Sequence, residues 1–123
     1  MNEEQERRAK AIIVKQLAMN ESTLDAMRRA GLKPDAVVQL DFMFVAPSQV
    51  CAESLKARLE QNDCLDIVLD EQPAGECLVT GKSHPTTLTS GILRDWVKWI
   101  VVQGVLENCE FDGWGTEVPG SEV

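Results

Sequence analysis

Residues 36–46 read "AVVQLDFMFVA", and this run constrains the fold more than any other. It is rich in β-branched and aromatic residues, as strands are. Side chains alternate across a strand. Val38, Leu40, Phe42 and Phe44 therefore share one side, and Val37, Gln39, Asp41, Met43 and Val45 share the other. The first side demands a covering layer. The second is more apolar than a solvated face should be. An N-terminal helix, a second copy of the chain (a homodimer) or another partner is expected to cover part of it.

The flanking segments supply the layer. In residues 3–20, Ala9, Ile12, Ile13 and Leu17 form one apolar stripe, which predicts a helix. "NEST" then offers cap residues. A short second helix carrying Leu24 and Met27 should follow, stopping at Gly31 with Pro34 just beyond. After the strand, "PSQVCAESLKARLEQND" reads as a helix capped by Ser48, with Cys51, Leu55, Arg58 and Leu59 at helical spacing. "CLDIVLDEQ" alternates Leu65, Ile67 and Leu69 with Asp66, Val68 and Asp70. "PAG" turns the chain and "ECLVTG" returns, which predicts an antiparallel hairpin. Pro85 and the threonines of "SHPTTLT" open a last helix to about Asn108.

"EFDGWGTEV" closes the pattern as a strand reaching residue 118. Two local readings compete inside it. "DG" between apolar residues signals a hairpin turn, whereas a continuing strand would use the glycines for a bulge or a close backbone approach. After the first helices the order is strand, helix, strand, strand, helix, strand. That is the split βαβ, or ferredoxin-like, arrangement. The expected architecture is an α+β sandwich: a four-stranded antiparallel sheet with two helices on one face and an N-terminal helical extension. A single domain over 1–123 is expected, with the extension at 1–33 and the core at 35–118.

The chemistry-bearing residues are few. The chain holds 123 residues, with 20 acids, 12 bases and a formal net charge of −8. That balance disfavours an exposed basic groove, so no direct contact with nucleic acid is expected. It suits a basic partner. No stretch approaches the length of a membrane span, and the charged start "MNEEQERRAK" lacks the apolar region of a signal peptide. No membrane association and a cytoplasmic location are expected. The cysteines at 51, 64, 77 and 109 contain no C-x-x-C pair, and His84 is the sole histidine. Buried thiols are expected rather than a metal site or disulfides. "GECLVTGKS" imitates a phosphate-binding loop, but five residues separate Gly75 from Gly81 where the motif needs four. The intervening "ECLVT" also reads as strand. Trp96 and Trp99 share a helix face and are expected to pack on the sheet. No catalytic, cofactor-binding or metal-ligating residue is assigned, and the protein is not expected to be an enzyme.

"FDGWGTEV" following a long helix, after a segment such as "KPDAVVQLDFMF", resembles the family of regulators of ribonuclease E activity, type B (RraB). The likeness in layout spans roughly residues 5–118 and is specific at Asp112, Gly113, Trp114, Gly115 and Thr116. It implies a ferredoxin-like fold with an extra N-terminal helix. It also implies a non-enzymatic protein that binds an endoribonuclease and lowers RNA cleavage. Asp112, Gly113, Trp114 and Gly115 become the candidate partner-binding residues. Typical members continue into a long acidic tail, whereas this sequence stops at "PGSEV", a departure from the family pattern that puts contacts through such a tail in question. Two other readings suit the same fold: an immunity- or antitoxin-like inhibitor of another protein, and a small-molecule-sensing domain.

Overall fold

A computed structural model describes residues 1–34 and 36–116. It is an α+β structure with three helices and two antiparallel sheets, one of them four-stranded. In chain order the elements are α1 (Glu3–Arg29), β1 (Val37–Val38), β2 (Asp41–Ala46), α2 (Gln49–Glu60) and β3 (Leu65–Glu71). β4 (Cys77–Lys82), β5 (Thr86–Thr87), α3 (Ser90–Leu106) and β6 (Glu110–Gly115) complete the list. The four-stranded sheet has the order β3-β4-β2-β6, and every neighbouring pair in it is antiparallel.

The N-terminal region is one helix, not the two expected. α1 starts on a capping box, in which the Asn2 side chain accepts from the Gln5 amide and Gln5 answers in kind. It ends on a Schellman motif. The amide of Leu32 donates to the Met27 carbonyl, that of Gly31 donates to Arg28, and Gly31 takes φ +114°. Between these ends the helix runs straight through "NEST". A cap signal is worth only about 1 kcal/mol. Continuing the helix keeps Asn20 and Leu24 buried on the face that packs against α3, and that packing wins.

The run at 36–46 is also divided. Val37–Val38 pairs with Thr86–Thr87 in a separate two-stranded ladder, and Asp41–Ala46 enters the main sheet. Ser83 bridges the break. It donates its amide to the Leu40 carbonyl at 2.8 Å, and its hydroxyl accepts from the Leu40 amide at 2.9 Å. The expected alternation survives the division: Val38, Leu40, Phe42 and Phe44 are all buried. Because Thr86 and Thr87 pair with β1, they do not open the last helix. Of the threonines expected to open it, Thr89 supplies the cap, accepting from the Ile92 amide at 3.1 Å.

The β3–β4 hairpin forms as expected, turning at Gly75 with φ +93°. Its alternation is broken by a register shift between Leu65 and Val68, where Asp66 takes φ +53°. One extra residue flips the parity. Leu65 thus leaves the side it was expected to share with Ile67 and Leu69, and it is exposed.

The core centres on Phe44, whose ring meets Phe42 and Phe111 edge-on at 5.8 and 5.3 Å. On its other side lies Gly104 of α3. A Cβ there would collide with the Phe44 ring and come within 2.9 Å of the Cys109 carbonyl. α2 packs against β3 and β4. It is tied to α3 by Arg58, whose guanidinium reaches Glu107 at 3.0 Å. Gly104→Ala is expected to lower stability by about 1–3 kcal/mol or more, because the ring and the carbonyl are both boxed in. A urea-unfolding midpoint measures it.

Candidate functional site

The pairing registers divide the sheet residues between two faces. One face carries Phe42, Phe44, Val79 and Phe111, all buried. The other is read in three rows across the strands. Leu65, Lys82, Asp41 and Gly115 form the first, and Val68, Thr80, Met43 and Gly113 the second. Asp70, Leu78, Val45 and Glu110 form the third. This second face is mixed in character. Val68 remains 58% exposed and Leu65 42% exposed, while Met43, Val45 and Leu78 are half-buried.

Of the three covers anticipated for that face, the N-terminal helix goes elsewhere: α1 packs chiefly against α3. Its Asn20 reaches the sheet at the edge strand, where the Trp114 indole Nε1 donates to Asn20 Oδ1 at 3.0 Å. Asn20 is buried, and its Nδ2 has no hydrogen-bond partner among the described residues.

The expected site residues lie within β6, and the structure decides between the two readings of "DG". No hairpin turn forms. Phe44 pairs with Phe111 and Met43 with Gly113, so Asp112 is the extra residue of a β-bulge. Gly113 takes φ +154° there, a conformation that side chains resist. The bulge sorts the signature by face. Trp114 pairs with Phe42, on the covered side, where it packs on the core and is held by Asn20. Gly113 and Gly115 fall on the open side. Asp112 is exposed. The Thr116 hydroxyl donates to the Gln39 carbonyl at 2.7 Å and fastens the end of the strand. Residues 117 and 118, to which the strand was expected to run, lie outside the described residues.

A shallow hollow of about 520 Å³ opens over this region. Its lining includes Asp41, Met43, Thr80, Lys82, Gly113 and Gly115, with Asp66 and Asp112 beside them. The row of Phe42, Gly81 and Trp114 also lines it. Lys82 lies 3.9 Å from Asp41. The contribution of Asp66 was not legible in the sequence, because it depends on the β3 bulge.

The other candidate groups fall elsewhere. The segment that imitates a phosphate loop is strand β4, so its amides serve the sheet. The cysteines are free thiols; Cys64, Cys77 and Cys109 are buried and Cys51 half-buried. Burial raises the Cys109 thiol to about 12 and Cys64 to about 11, from an ordinary 9.0. Among the described residues no group of three or more His, Cys, Asp or Glu is placed to hold a metal ion, and no helix is long and apolar enough to cross a membrane. Trp96 and Trp99 are half-buried against the core, with Trp96 edge-on to Phe111 at 6.4 Å.

The model of the family described as "Regulator of ribonuclease activity B", RraB, matches residues 17–116. The chain belongs to the RraB family. The match covers all of the four-stranded sheet, the bulge and Asn20. A search of curated proteins returned no match.

Two outcomes follow from this geometry. Trp114→Phe removes the indole donor and leaves the Asn20 amide wholly unpaired. It should cost about 1–3 kcal/mol, with the coupling resolved by a double-mutant cycle against Asn20→Leu. The raised thiols give a pH signature. In the unfolded chain they ionise near 9, in the fold only near 11 and 12, so the unfolded state gains by deprotonation first. Their contribution should be intact below about pH 8.5 and lost between there and about pH 12. Denaturation midpoints against pH, compared with Cys64→Ala and Cys109→Ala, read it.

Proposed function

We propose that this protein is a cytoplasmic, non-enzymatic regulator that binds an endoribonuclease of the ribonuclease E type and lowers its cleavage of RNA. The observation that carries the reading is the family match across residues 17–116, since that family is described by its regulation of ribonuclease activity. Charge is consistent with a protein partner rather than RNA itself: at −8 the chain repels phosphate. The fold reading accords with this. The antiparallel order β3-β4-β2-β6 supports a single ferredoxin-like domain with α2 and α3 on one face, extended by α1. Regulation then works by masking the nuclease or its scaffold, not by chemistry. Of the signature residues, Asp112, Gly113 and Gly115 make contact with the partner, and Trp114 acts by holding their strand in place.

A purified system tests this. Cleavage of a labelled RNA by the nuclease should fall as the protein is added, and the nuclease should be retained on the immobilised protein. Undiminished cleavage with no retention would sink the reading.

A further inference from the structure

We propose that the open sheet face, at the notch over Gly113 and Gly115, is the docking surface for an extended basic segment of the partner. The inference rests on the reading that the partner is a protein, and it adds where and by what chemistry that protein is held.

Gly113 is required by its backbone, at φ +154°. Gly115 is not: its φ lies outside the left-handed region, and among the described residues an added Cβ would meet nothing within 4 Å. Among the described residues, neither conformation nor close packing demands glycine there. A side chain at 115 would project over the hollow beside Asp41 and Lys82. The missing side chain therefore keeps space open on a face that already exposes Val68.

The charge of the face points to a basic occupant. Among the described residues, Asp41, Asp66 and Asp112 line the hollow against a single cation, Lys82, which lies 3.9 Å from Asp41. Asp70 and Glu110 add exposed acids at the far row of the same face. A second copy would bring the same acids face to face, and a nucleic acid would bring phosphates to them. Both are disfavoured. Arginine or lysine suits both features of the surface. The aliphatic stem lies along Met43 and Val68, and the cationic head reaches the carboxylates.

Fluorescein-labelled nona-arginine is the probe, with binding followed by anisotropy at low salt. Asp66→Asn with Asp112→Asn should weaken binding about five- to tenfold, as two partly exposed ion pairs would. Glu3→Gln with Glu4→Gln, the same charge change remote on α1, should leave it within about twofold. Gly115→Leu should weaken binding comparably to the aspartate pair at an unchanged Tm. An equal loss in the Glu3/Glu4 variant would overturn the proposal, as would parental affinity in both face variants. Self-association of the parent abolished by Gly115→Leu would assign the face to a second copy instead. Loss of binding to a 20-nucleotide single-stranded RNA in that variant would assign it to nucleic acid. Retention of the ribonuclease separates the two levels. If both face variants retain it as the parent does, the docking surface is wrong while the function stands. If the parent retains none yet binds the peptide at this face, the function is wrong while the surface stands.

Discussion

The ring of Phe44 against the bare backbone of Gly104 is the contact on which the rest of the structure depends. It brings α3 onto the centre of the sheet at a distance that no other residue at 104 allows. The same device recurs one layer down. Gly81 of β4 would, with a Cβ, meet the Phe42 ring at 2.6 Å. Two phenylalanines two residues apart on β2 are thus each matched by a glycine on a neighbouring element. Close packing of this kind has little slack, so the position of α3 follows from the sequence of β2. α1 packs on α3, and its placement is inherited in turn.

That inheritance explains how a residue of the N-terminal helix meets one of the last strand. Asn20 and Trp114 are 94 positions apart and share a hydrogen bond of 3.0 Å. A buried asparagine in mid-helix is costly unless paired, and only half of its amide finds a partner. The bond fixes the indole on the covered side of β6. With Trp114 anchored there, the bulge at Asp112 leaves the two glycines on the open side. One strand therefore does two tasks, packing with its aromatic residues and presenting a clear surface with its glycines.

Much of the fold was legible because its signals are periodic and local. The buried side of β2, the Ser48 cap, the β3–β4 hairpin and the last helix all follow from spacing that a strand or helix imposes by itself. The errors share one cause. "NEST" signals a break, but burying Leu24 in the core stabilises the chain more than a cap there would. The threonines of "SHPTTLT" point to a helix start, and Thr89 alone makes it, because β1 offers Thr86 and Thr87 a ladder. Leu65 was placed by simple alternation, which one extra residue at the β3 bulge undoes. At the site, Asp112, Gly113, Trp114 and Gly115 stood out in the sequence as a signature. Their division between two faces did not, since both a hairpin turn and a bulge satisfy the same local rules.

The sequence alone determined which segments become helix or strand and which side of each is apolar, because those follow from neighbours within a few residues. It also determined the acidity of the chain and the scarcity of groups suited to catalysis. Tertiary structure decided what the apolar sides meet and therefore which face stays open. It sent α1 to α3 rather than to the sheet. It brought Asp66 and Asp112, from opposite edges of the sheet, into the lining of one hollow. Such pairings depend on contacts between residues far apart in the chain, and no local pattern records them.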